Sequence, residues 1–174
     1  MKKGLILVMN KRYDGNTAIE NVLNYVLSSP FADYENIMSA NLKIENFDSI
    51  LREFHEVQQP YNIENHRRLM HFVITTSANK FMEQDTINAA LMLLDYFDRL
   101  GHQVLAVPHF GSKSNVLNYH IHAIVNIKSF SSGKTLLDKY STYNDIRDYL
   151  NQNPYVHWTW KYSNDQRVIL EECL

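Results

Sequence analysis

Cysteine is almost missing from this sequence. The one present, Cys173, is next to last among 174 residues. No disulfide can form within the chain, which suits a reducing cytoplasm. Four prolines and five glycines leave no Pro- or Gly-rich linker, and no internal repeat or low-complexity segment divides the chain. No apolar run approaches the length of a membrane-spanning helix. Leu5 to Met9 follows two lysines but is too short for a signal-peptide core, and no cleavage site follows it. The expectation is a cytoplasmic protein with no membrane partner. A basic surplus is also lacking. Lysine and arginine number 17 against 19 acidic residues, a net charge of −2. That is a poor match to a general nucleic-acid binder and leaves room only for a local basic groove.

What is present describes one globular domain spanning residues 1–174. A chain of this length buries about 70% of its unfolded surface, and 45% of the residues are hydrophobic. Gly4 to Met9 reads as a strand. From Thr17, the residues Ile19, Val22, Leu23 and Val26 recur at helical spacing, and Ser28-Ser29-Pro30 stops the helix. Thr17 or Asn16 is placed to cap it, with Glu20 in capping-box position. Phe31 to Leu42 holds a loop and a short strand. Asn46 to Gln58 is a second helix, with Phe47, Ile50, Leu51 and Phe54 on its apolar stripe. Leu69 to Thr76 is a strand, and Phe81 to Leu100 is a long helix ending at Gly101. Met82 and Met92 fill its core. Tyr143 to Asn151 is a fourth helix, and the aromatics of Tyr155 to Tyr162 alternate as in a strand. Short strands alternating with helices, together with a tight hairpin, predict an α+β fold: a central antiparallel sheet with helices packed chiefly on one face.

That hairpin organises the chain. Gln103 to His109 and Tyr119 to Asn126 are apolar runs separated by Gly111 to Asn118, a loop of Gly, Ser and Asn. Residues two apart on a strand share a face, so His120 and His122 point the same way. As neighbouring antiparallel strands, the two runs set His109 opposite His120. An HxH pair alone is common. With a third imidazole facing it, the set becomes a metal site with open positions.

The run from His71 to about Asn151 resembles the mobilisation-type relaxases of conjugative and mobilisable plasmids, within the HUH single-strand endonucleases. The matching residues are His71-Phe72-Val73-Ile74-Thr75-Thr76-Ser77, an amphipathic helix, Val107-Pro108-His109, His120-Ile121-His122-Ala123-Ile124-Val125-Asn126, and Gly133-Lys134 before a Tyr-rich helix start. The segment Asn24-Tyr25-Val26-Leu27-Ser28-Ser29-Pro30 resembles the family's nucleophile segment. The resemblance therefore implies Tyr25 as the catalytic tyrosine, and His109, His120 and His122 as ligands of Mn²⁺ or Mg²⁺, with Zn²⁺ or Ni²⁺ also suited to imidazoles. His71 occupies a motif position that is not a ligand, so a structural role is expected for it. In one position the chain departs from many relatives: Gly111 stands where they carry an Asp.

The reaction so implied is attack on one DNA strand at an origin of transfer. It leaves a 5′-phosphotyrosine link and a free 3′-hydroxyl, and it is reversible. Single-stranded DNA is the implied partner, together with accessory relaxosome and secretion-coupling proteins, in a bacterial cytoplasm. Lys113, Lys128, Lys134 and Lys139 flank the histidine strand, and Arg67 and Arg68 begin another. Phosphate contact and ordinary solvated charge both account for them. Two further readings stand beside this one. An HUH replication initiator or transposase places its tyrosine after the histidines, often with a lysine four residues on. Tyr140, Tyr143 and Tyr149 lie there, without that lysine. A non-catalytic relaxase-like DNA-binding module is the other, favoured by the acidic balance, the missing Asp and the short chain.

Overall fold

The computed structural model describes residues 2–61, 63, 66–76, 83–111 and 119–163. Lys113, Met82 and Cys173 lie outside the described residues. Six strands and four helices follow in the order β1 (Lys2–Met9), α1 (Ala18–Leu27), β2 (Met38–Ala40), α2 (Phe47–Gln58), β3 (Leu69–Thr76), α3 (Glu83–Arg99), β4 (His102–Phe110), β5 (Tyr119–Ser129), α4 (Tyr140–Leu150) and β6 (Val156–Ser163). The strands form one sheet in the order β2-β4-β5-β3-β1-β6. Among the described residues, no helix is long and apolar enough to cross a membrane.

The α+β class is as expected, and two particulars differ from the sequence reading. The sheet is mixed: β6 lies parallel to β1, from Lys2 opposite Val156 to Met9 opposite Ser163, while the other pairings are antiparallel. The helices also divide evenly between the faces rather than lying chiefly on one. Leu5, Leu7, Leu69, Val73, Leu105, Val107 and Ile124 pack under α1 and α2. Their strand neighbours Ile6, Val8, Phe72, Ile74, Val104, Ala106 and Val125 pack under α3 and α4. The cause is in the strands themselves. Every residue of β3 is buried, as is nearly every residue of β4 and β5. Strands that are apolar at successive positions need cover on both faces.

The helix stripes match that arrangement. Ala18, Ile19, Val22, Leu23 and Val26 are the buried face of α1. Thr17 is its N-cap residue but makes no side-chain cap bond. Its Oγ1 instead accepts from Asn21 Nδ2 at 3.2 Å. The reciprocal capping box falls on α2: Asn46 Oδ1 accepts from the Ser49 N–H, and Ser49 Oγ accepts from the Asn46 N–H. In α4 the deeply buried tyrosine is Tyr143, whereas Tyr149 lies at the surface with its hydroxyl donating to Asp95.

Candidate active site

The β4–β5 hairpin has the register that period-two spacing requires. His109 pairs with His120 and Val107 with His122, so alternate residues of both strands face α1 and α2. His109, His120 and His122 are all buried, and one ligand nitrogen from each lies within 4.8 Å of the others. Nε2 of His120 and Nε2 of His122 are 3.1 Å apart. Two nitrogens each about 2.1 Å from one ion, at right angles, would stand about 3 Å apart, so the separation fits two ligands of one ion. The triad could hold a divalent metal.

The neighbours of the triad fix its orientation. His109 Nε2 donates to the Val26 carbonyl at 2.9 Å. Val26 lies in the last turn of α1, where carbonyls have no partner within the helix. With its proton on Nε2, His109 has Nδ1 left as the nitrogen able to bind an ion. On β3, His71 points to the same face, with Val73 opposite His122 in the register. His71 Nε2 lies 2.9 Å from His122 Nδ1, and His71 Nδ1 lies 2.9 Å from the Tyr13 hydroxyl. His71 is thus more than packing: it connects a triad imidazole to the loop between β1 and α1.

Burial controls the charge of these groups. His122 is held well below the ordinary histidine pKa, first by burial and then by His120, His71 and His109 around it. His71 is pushed down to about 3 by burial, with Lys11, His109 and His120 adding to the effect. Burial also lowers His109, opposed in part by its bond to Val26. Neutral imidazoles are the form that binds metal. The Tyr13 hydroxyl is pushed up, chiefly by burial.

Tyr25 sits one residue before that Val26 carbonyl. It is 49% exposed, and its ring meets His122 edge-on at a centroid distance of 5.8 Å. It borders a groove of about 290 Å³ whose lining includes Lys11, Arg12, Tyr13, Asn21 and His71. Gly111, two residues after His109, has φ 122°. A side chain is strained in that conformation, which glycine adopts at no cost.

The other basic residues are spread out. Arg67 pairs with Asp138 at 2.6 Å, and Arg68 donates to Asn16 at 3.0 Å. Lys128 lies over the Tyr61 ring and donates to Thr135. Lys134 and Lys139 are exposed in the loop after β5. Asn126, on the same strand as His120 and His122, is occupied with structure: it accepts from Gln58 and donates to the Phe54 carbonyl and to Gln103. Of Tyr140, Tyr143 and Tyr149, all on α4, Tyr143 is in the core on the far face of the sheet from the triad. Sequence reasoning missed Tyr13, Lys11 and Arg12. The signal was a Lys-Arg-Tyr run in the loop just after a strand, with nothing local to tie it to His71.

Residues 25–153 match the nuclease domain of MobA/VirD2-like relaxases. No curated protein and no solved structure matches the chain. The match begins at Tyr25 and spans the whole triad, and it covers most of the sequence. The chain therefore belongs to the MobA/VirD2-like relaxase family and carries its DNA-nicking nuclease domain.

Proposed function

We propose that the protein nicks one DNA strand at an origin of transfer, with Tyr25 as nucleophile and with a divalent ion held by His109, His120 and His122. The observation that carries this reading is the bond from His109 to the Val26 carbonyl. It ties the helix turn bearing Tyr25 directly to the triad, so that one phosphate can meet both. Mn²⁺ suits three imidazoles better than Mg²⁺ does. The bound ion supplies Lewis acidity to a phosphate oxygen and offsets the charge that builds in the transition state.

The chain's own residues do the rest. The Tyr25 hydroxyl gives its proton up to solvent, its oxygen attacks phosphorus, and the P–O3′ bond breaks. The phosphate stays on the 5′ side as a phosphotyrosine ester, and the departing 3′ oxygen takes a proton. The reverse attack rejoins the strand without a nucleotide cofactor, because the ester conserves the bond. Exposure of Tyr25 beside the groove gives DNA access to it. Lys11 and Arg12 line the same groove and are placed to meet phosphates. Lys134 and Lys139 are proposed as further contacts. Arg67, Arg68 and Lys128 would contribute by sharing the partners they already hold. The setting is transfer of a plasmid or integrative element in a bacterial cytoplasm, with accessory relaxosome and secretion-coupling proteins as partners.

The initiator-type reading has weaker support. The Tyr143 hydroxyl donates to Asp138 and is pushed far up by burial and by that carboxylate. Its ring packs under the opposite face of the sheet. The test is incubation with labelled single strands spanning the host element's transfer origin, with Mn²⁺, read on a denaturing gel. A covalent adduct that disappears in Tyr25→Phe supports the proposal. DNA binding without any adduct would leave a binding module.

A further inference from the structure

Three buried side chains form a line that nicking chemistry does not by itself require: Tyr13, His71 and His122. Tyr13 is 7% exposed, His71 2% and His122 1%. Both links in the line are 2.9 Å long. The line starts in the loop after β1, crosses β3 and ends on β5. We propose that His71, held in turn by Tyr13, is a positioning residue that locks His122 into its metal-binding tautomer.

An imidazole binds an ion through a nitrogen that carries no proton. His122 Nε2 is the nitrogen that stands 3.1 Å from His120 Nε2 and faces the triad. His122 must then carry its proton on Nδ1, which is the atom beside His71. His71 Nε2 can only accept that proton in a hydrogen bond, so His71 carries its own proton on Nδ1. That N–H in turn donates to the Tyr13 oxygen. The Tyr13 hydroxyl, having accepted, is free to donate away from His71, and Tyr13 and Tyr25 line the same groove. Each bond fixes the direction of the next. Without His71, neutral His122 would distribute between two tautomers and rotate, and only one tautomer presents Nε2 to an ion. Partners that orient a ligand histidine in this way typically contribute about 10- to 100-fold in metal affinity.

The inference rests on the triad being a metal site, and the experiment separates the two. Mn²⁺ is titrated calorimetrically into wild type, His71→Leu, His71→Gln and Tyr13→Phe, each checked for fold by circular dichroism. Long-range proton–nitrogen NMR of the Zn²⁺-loaded proteins reads the His122 tautomer. Gln is the conservative variant, because its side-chain oxygen reaches the same place as Nε2 and accepts the same bond. The expected result is a loss of about tenfold or more in His71→Leu. His71→Gln should bind within a fewfold of wild type, and Tyr13→Phe should fall between the two. The NMR should show a protonated Nδ1 on His122 in wild type and His71→Gln. Wild-type affinity in a folded His71→Leu, or a folded His71→Gln no better than His71→Leu, overturns the inference and leaves the metal site standing. No Mn²⁺ or Zn²⁺ binding by wild type removes both.

Discussion

Burial sets the protonation of His71, His109 and His122 before any ion is bound. His71 has a folded pKa of about 3, against about 6.5 in an unfolded chain. Between those values the unfolded state binds a proton that the folded state refuses. Stability is therefore full above pH 6.5 and falls as pH drops towards 3. Thermal unfolding followed from pH 7 to pH 4 should show a declining melting temperature. The decline should be shallower in His71→Gln, which has nothing to protonate there. An equal slope in both proteins would mean that His71 is not held neutral. The three ligand candidates are a second case. Mn²⁺ titration of His120→Ala/His122→Ala should show binding lost, and binding equal to wild type would contradict the site. The triad was legible in the sequence because period two and one short hairpin place all three residues locally. His71 was legible only as a strand residue. Its contact with His122 spans 51 positions and depends on β3 lying beside β5, which no local pattern encodes.

Two junctions between elements decide whether the site is held in place. Asn126 joins β5 to α2 and β4 through Gln58, the Phe54 carbonyl and Gln103. Asn126→Ala leaves the Phe54 carbonyl and the Gln103 oxygen without that donor, at a cost of roughly 2–4 kcal/mol. Urea denaturation measures it, and a change under 0.5 kcal/mol would show the network to be incidental. At the other edge, Trp158 of β6 lies flat against Gly4 of β1. A Cβ at Gly4 would come within 2.6 Å of the Trp158 ring carbon Cδ2. Gly4→Ala should cost about 1–3 kcal/mol by overpacking. The elements themselves were largely legible, because their apolar periods are long and their stops are Pro, Gly or polar runs. Their layering was misread. It follows from continuous apolar stretches such as Val104 to Val107 and Phe72 to Ile74, which need helices on each face, and not from the helix periods themselves. The parallel β1–β6 pair joins nearly the two ends of the described chain, and nothing local announces it.

For the whole molecule, a net charge of −2 means that DNA must be met by local positive charge. The groove beside Tyr25 has Lys11 and Arg12. Lys11→Ala/Arg12→Ala should weaken binding of single strands at every sequence. It should also make the dependence of affinity on salt shallower by about 1.4, or about 0.7 for each lost phosphate contact. Fluorescence anisotropy across a salt series reads this, and an unchanged slope would place the DNA elsewhere. The central claim is that α1 and the hairpin act on one phosphate, with Tyr25 as the attacking group. The most direct measurement is to trap the covalent protein–DNA adduct formed with Mn²⁺, digest both components, and locate the residual nucleotide by mass spectrometry. The account predicts a phosphodiester on the tyrosine of the peptide containing Tyr25 and on no other. A nucleotide on Tyr140, Tyr143 or Tyr149 would contradict it.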